Sequence, residues 1–244
     1  MVPHDKPKAG LRPSNGAEVA MEEQREYRTL MTQGTAQHPE VAPYALSLTK
    51  RAMDIFLAAA GLVVSSPLWL VIAIAIILDD GLPVLYSQER VGLNGRIFKL
   101  YKFRSMVRDA EKLTGPVLAD SDDPRVTRVG CFLRRTALDE LPQLLNIFLG
   151  DLSFVGPRPE RPEFVREFVQ RHPEYAKRHA IRPGLTGLAQ IFGHYESPPE
   201  EKLTFDLKYM REASLWTDIK LIAKSFAITF AGKWQERQSH AKPK

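Results

Sequence analysis

Asp139 and Glu140 stand side by side in RRTALDELPQLLN, residues 134–146. Arg134 and Arg135 precede them and Pro142 follows. Proline fits only the first turn of a helix, so the pattern predicts a helix that starts close to Asp139, with Thr136 or Asp139 as its cap. The apolar face would be Leu141, Leu144, Leu145 and Phe148. Carboxylates at a helix N-terminus stay ionised, and the same positive end attracts phosphate. An ionised carboxylate beside arginines is what a phosphoryl-transfer nucleophile needs, because the transferred group must be neutralised. The second acid could hold Mg²⁺, which prefers carboxylate and phosphate oxygens. The plainer reading of the same residues is a capping aspartate next to a solvated glutamate.

Two further stretches carry basic residues in rigid settings. In GDLSFVGPRPERPEF, residues 150–164, Arg158 is fixed between Pro157 and Pro159. Its guanidinium loses little freedom on binding an anion. In RHAIRPGLTGLAQIFG, residues 178–193, Arg182 leads a turn with Pro183, Gly184 and Gly187. Its backbone amides can approach a nucleotide closely. His179 is expected to be structural.

These residues need elements to hold them. Residues 55–78, IFLAAAGLVVSSPLWLVIAIAIIL, carry no charge and are long enough to cross a bilayer. Ser65, Ser66 and Pro67 interrupt the run, and a helix should kink or break there, with Ser66 able to satisfy a freed carbonyl. Lys50 and Arg51 precede the run, and Arg90, Arg96, Lys99, Lys102 and Arg104 follow it. Positive flanks on both sides give a single crossing no orientation. A single span and a helix that enters and leaves by one face both fit this pattern. PVLYSQ and RIFKLYKF alternate and flank GLNG, which predicts a β-hairpin. Residues 109–128 read as loop. Helices are predicted over 160–180, with Phe164, Val165, Phe168 and Val169 on one face, and over 198–213 and 215–230. The last two suit either a membrane interface or the protein core.

The bulk numbers set the frame. The chain has 244 residues, a net charge of +5 and one cysteine, Cys131. A modest basic balance favours anionic partners, and a disulfide within the chain is impossible. Cys131 sits in apolar VGCFLRR and reads as a packing residue. Residues 1–47 are polar and read as a mostly disordered tail with a short helix around VAMEEQREYRTLM. Residues 48–234 form the expected membrane-associated domain, followed by a polar tail over 235–244. The fold class expected is α+β, mainly α-helical.

The Ser-Pro-interrupted apolar helix, KFRSM, DPRVTRVGCFLRRTALDELPQLLN, GDLSFVGPRPERPEF, RPGLTGLAQ and SLWTDIK occur here in one order. Together they resemble the bacterial sugar transferase family, the monotopic polyprenyl-phosphate phosphoglycosyl transferases. The resemblance implies transfer of a sugar 1-phosphate from a UDP-sugar to undecaprenyl phosphate, with release of UMP. That step opens exopolysaccharide, capsule, O-antigen or glycoprotein glycan assembly. It implies that Asp139 attacks the β-phosphorus to give an aspartyl phosphosugar. Glu140 would assist, both acids would serve a Mg²⁺ ion, and Arg134 and Arg158 would bind phosphate; Arg182, in its tight turn, is expected to bind substrate phosphate as well. It implies a re-entrant membrane helix with its break at Ser66 and Pro67, interfacial amphipathic helices, and a catalytic domain on the cytoplasmic face of the bacterial inner membrane. The partners implied are the UDP-sugar, polyprenyl phosphate and the bilayer, with no nucleic acid and a homodimer left open. Larger members carry extra helices and a second domain upstream, so the chain resembles the minimal catalytic form.

The chain departs from the family pattern at Leu188, Phe192 and His194, where tryptophan, asparagine and arginine are usual, and REASLW stands for RNWSLW. The departures leave the identity of the sugar open. Two rivals stand beside it: a metal-dependent nucleotide-sugar phosphohydrolase that uses the same acids, and a non-enzymatic single-pass membrane adaptor.

Overall fold

The structure, a computed structural model, describes residues 21–22, 24–29, 31, 39–110, 123–193 and 198–231. It is α+β and mainly helical, as expected. The expectations for residues 1–20 and 235–244 lie outside the described residues.

The longest element is α1, Leu48–Asp80, about 50 Å of helix at 1.5 Å per residue. Ser47 starts it by accepting the Lys50 amide, and Gly81 ends it with φ 71°. Helical structure is kept on both sides of Pro67, which lies inside α1. The reason is local. Proline has no N–H to give the carbonyl four residues back, Val63, and Ser66 Oγ donates to that carbonyl instead at 2.8 Å. Ser65 Oγ accepts from Trp69 Nε1 at 3.0 Å.

Both ends of α1 are tied to one body. At the start, Lys50 Nζ meets Asp218 at 2.6 Å, Arg51 donates to the Ile147 and Phe148 carbonyls, and Asp54 accepts from Ser153 and Phe154. At the finish, Asp79 accepts the Val129 amide and Arg104 donates to the Asp80 and Gly81 carbonyls. Between them Phe56, Val63, Val64, Leu70, Val71 and Leu78 are exposed. Only 11% of the most apolar stretch is buried inside the protein, too little for a core helix. The helix is long and apolar enough to cross a membrane.

The hairpin forms where the alternation predicts it. Strands β1, Leu85–Val91, and β2, Ile97–Phe103, pair antiparallel from Leu85↔Phe103 to Val91↔Ile97. Asn94 and Gly95 both take positive φ in the turn between them. Helix α2, Arg128–Arg135, then leads to α3, Gln143–Leu149. Strand β3, Ser153–Val155, follows, and helix α4, Pro162–Arg171. The expected helix over 160–180 divides at Pro173. His172 before it is pushed out of helical geometry, and a 3₁₀ segment runs from Pro173 to Ala180. Strand β4, Gly184–Thr186, pairs parallel with β3. Helices α5, Leu188–Phe192, α6, Pro199–Glu212, and α7, Leu215–Phe230, complete the domain.

The main core gathers Ala58 of α1, Leu100 of β2, Leu144 and Ile147 of α3, Phe154 of β3 and Met210 of α6. A smaller cluster packs Ile72 and Ile76 of α1 on Phe103 and Leu133. The ordered body begins before residue 48. Ala45 is buried, Ala42 N–H bonds the Met210 carbonyl, and Tyr27 and Met31 lie in a third cluster. Cys131 is exposed, not packed. Gly130 and Leu133 take the inward face of α2 and turn Cys131 and Phe132 out.

Candidate active site

The chain between α2 and α3 carries both acids. Thr136 does not cap the following helix. Its Oγ1 bonds the Phe132 and Leu133 carbonyls and closes α2. Ala137 takes the left-handed conformation, φ 55°, which turns the chain into a 3₁₀ segment at Leu138–Glu140. The α-helix begins only at Gln143, after Pro142, and no side chain caps it. The acids therefore sit on a tight turn ahead of a short helix, and side chains, more than the dipole, set their electrostatics.

Lys102 of β2 is the nearest cation. Its Nζ lies 2.7 Å from Glu140 Oε1 and 3.7 Å from Asp139 Oδ2. Arg158 Nη2 approaches Glu140 Oε1 at 3.7 Å. Arg134 lies at the end of α2 with its Nε on Ser105 Oγ at 3.1 Å. Gly130 makes that approach possible, since a Cβ there would fall 2.0 Å from the Ser105 carbonyl. Asp139 is 6% exposed. Burial raises its carboxyl above the ordinary range, with Lys102 and Arg134 opposing and Glu140 adding to the rise. Glu140 is also desolvated, yet Lys102, Arg158 and hydrogen bonds from Lys102 and Gln143 outweigh this and bring it well below the ordinary range. One turn thus holds two acids pushed in opposite directions.

Arg90, Lys102, Glu140, Gln143, Arg158 and Gly184 line a cavity beside the dyad. Three cations against one acid suit an anionic ligand. Arg90 Nε is buried and has no hydrogen-bond partner in the protein. Among the described residues no cluster of three or more His, Cys, Asp or Glu side chains could hold a metal ion by itself. Two carboxylates fit Mg²⁺ in its usual mode, in which substrate phosphates complete the shell.

The bacterial sugar transferase family model matches residues 45–232. The chain belongs to that family. It is 40% identical over 186 residues to the UDP-N-acetylgalactosamine-undecaprenyl-phosphate N-acetylgalactosaminephosphotransferase of Aeromonas hydrophila, covering 75% of this chain and 44% of that one. It is 44% identical over 191 residues to the UDP-glucose:undecaprenyl-phosphate glucose-1-phosphate transferase of Escherichia coli (strain K12), covering 76% and 40%. The exopolysaccharide production protein PSS of Rhizobium leguminosarum bv. phaseoli is 43% identical over 185 residues, covering 71% and 90%. The chain thus spans less than half the length of the first two relatives and most of the third.

Not every residue that the family resemblance singles out reaches the dyad. Asp139, Glu140, Arg158 and Arg134 come together. Arg182 does not: its Nε bonds the Gly150 carbonyl, past the far end of α3. Seven residues of helix separate the two places by about 10 Å. Ser66 and Pro67 lie on α1. Leu188 packs against the main core, and half-exposed Phe192 lies under Lys224, whose Nζ is 4.0 Å from the ring centroid. His194 lies outside the described residues. His179 is buried against the Ala176 carbonyl, and burial and Arg178 lower its pKa to about 3, as suits a structural residue.

The sequence motifs assign no chemistry to three residues of the site: Lys102, Arg90 and Gln143. A signal for the first two was present. Alternation puts Lys102 on the same strand face as buried Phe98 and Leu100, and Arg90 faces Phe98 across the hairpin. A cation on the inward face of a strand calls for a partner. Gln143 in the first turn of α3 carried no such mark.

Proposed function

We propose that this chain transfers a sugar 1-phosphate from a UDP-sugar to a polyprenyl phosphate and releases UMP, as the names of its relatives describe for them. The observation that carries the proposal is the Asp139–Glu140 turn, with Lys102 against both acids and Arg158 against Glu140, beside a cavity that Arg90 also lines. A buried carboxylate with cations close by is suited to attack phosphorus.

In the first step Asp139 Oδ attacks the β-phosphorus. An acyl phosphate bond forms, the bond from β-phosphorus to the bridging oxygen breaks, and UMP leaves with that oxygen. In the second step a phosphate oxygen of the lipid attacks the same phosphorus, the aspartyl bond breaks, and the Asp139 carboxylate is regenerated. Arg90, Lys102 and Arg158 neutralise the phosphates, and Arg134 adds charge behind Asp139. Asp139 and Glu140 would hold Mg²⁺, which would supply Lewis-acid neutralisation of the diphosphate when bound.

The lipid substrate requires a membrane, and exposed α1 supplies the contact. We propose that α1 is re-entrant and the domain lies on the cytoplasmic face. Support comes from Lys50 and Asp80, at the two ends of the helix, both bonded to the same body. Exposed Leu215, Trp216, Ile219 and Phe226 on α7 suit the interface of the same leaflet. Labelling single cysteines on both sides of 55–78 tests this, and accessibility from opposite sides of the membrane would sink re-entry. For the reaction, enzyme, UDP-sugar and Mg²⁺ without lipid should give only a stoichiometric burst of UMP. Sustained turnover to free sugar phosphate would favour a phosphohydrolase.

A further inference from the structure

The segment ahead of the family-matched region, which begins at residue 45, makes contacts with the site loop. Residues 21–22, 24–29 and 31 are helical. Tyr27 is fully buried and Met31 nearly so, packed with Val91, Val165, Val169 and Tyr175. Gln24 bonds both backbone groups of Ile97, the first residue of β2. Arg166 of α4 covers the Tyr27 ring, 5.1 Å from its centroid.

Tyr27 Oη donates to the Pro162 carbonyl. That bond completes a series. The stretch from Pro157 to Pro162, the first residue of α4, carries three prolines and so lacks three amides with which to build a ladder of its own. Other elements hold its carbonyls one by one. Arg178 donates to Arg158 O, Arg90 to Pro159 O and the Val91 amide to Glu160 O. Tyr27 takes Pro162 O at the first residue of α4, where the loop joins the helix, and it alone of these four donors lies outside the matched region. The same loop presents Arg158 to Glu140.

We propose that the helical segment around Tyr27 is an intramolecular brace for the Arg158 loop, with Tyr27 a positioning residue. This rests on the reading of Arg158 as a phosphate-binding group. It gives the segment a role in nucleotide-sugar affinity.

The test uses the full chain with Tyr27→Phe, which keeps the ring and deletes only the hydroxyl. Tyr27→Ala also removes the buried ring and serves as the folding-defective control. Hydrogen exchange at the Val91 amide reads the loop without any substrate. UMP release from UDP-glucose and UDP-N-acetylgalactosamine, with polyprenyl phosphate present, gives KM and kcat. For Tyr27→Phe the exchange rate should rise and KM for the better donor should rise about 3- to 10-fold, with kcat within about twofold, the scale of one hydrogen bond. Unchanged exchange, or unchanged KM, would overturn the brace whatever happens to the melting temperature. If the wild-type chain releases no UMP from any UDP-sugar, the transfer reading fails, and Val91 exchange alone decides the brace.

Discussion

Replacing Lys102 by methionine probes the electrostatics of the dyad most sharply. Methionine keeps the apolar stem on the inward face of β2 and removes the charge. The ammonium lies 2.7 Å from Glu140 and 3.7 Å from Asp139. At an effective dielectric near 20, such separations correspond to attractions of about 6 and about 4.5 kcal/mol. Lys102 is 24% exposed, so water returns to the gap and recovers part of this. Truncating one partner of a largely buried charge pair costs about 2–5 kcal/mol. Taking about 3 kcal/mol for the nucleophile, kcat/KM should fall about a hundredfold at neutral pH. The sign with pH follows from the cause. Burial raises the Asp139 carboxyl and Lys102 opposes the rise, so losing Lys102 moves the acid limb of the profile to higher pH. The deficit should therefore narrow as the medium becomes alkaline, and Lys102→Arg should recover part of it. UMP release across a pH series is the assay. A uniform loss with an unmoved acid limb, or no loss, would refute the reasoning.

Other perturbations follow from the same geometry. Asp139→Asn should raise the melting temperature at neutral pH while abolishing transfer. A carboxyl whose folded pKa is raised loses stability as pH rises through that value, so the gain should vanish in acid. One kcal/mol corresponds to about 2–4 °C in a chain of this size, and equal melting temperatures at both pH values would contradict this. Ser66→Ala leaves the Val63 carbonyl without its donor and should cost about 1 kcal/mol. Adding Pro67→Ala restores a backbone N–H to that carbonyl and should recover the loss, measured by thermal unfolding in detergent. Gly130→Ala places a Cβ 2.0 Å from the Ser105 carbonyl. It should destabilise by about 1–3 kcal/mol and lower kcat/KM by pushing α2, with Arg134, off Ser105.

Much of this site was legible as sequence. The hairpin followed from strict alternation around GLNG, a local rule that tertiary contacts did not overturn. Ser66 satisfying the carbonyl freed by Pro67 followed from helix arithmetic. Three things were hidden because non-local contacts decide them. Ala137 in the left-handed region moved the helix start from Asp139 to Gln143, and alanine gives no warning of that conformation. Arg182 has the composition of a phosphate ligand, but the parallel pairing of β3 with β4 directs it to Gly150, and three-residue strands leave no periodicity to read. Polarity made residues 21–31 resemble a tail, while among the described residues of that stretch Tyr27 and Met31 bury into the core. Two side chains are too few to show a pattern.

The central claim is a covalent phosphosugar on Asp139. Mass spectrometry of the intact chain after brief incubation with UDP-sugar and Mg²⁺, without lipid, tests it directly. A gain equal to one sugar phosphate should appear, map to the peptide containing Asp139, be absent from Asp139→Asn and disappear when polyprenyl phosphate is added. An adduct on another residue, or full transfer to lipid by Asp139→Asn, would contradict it.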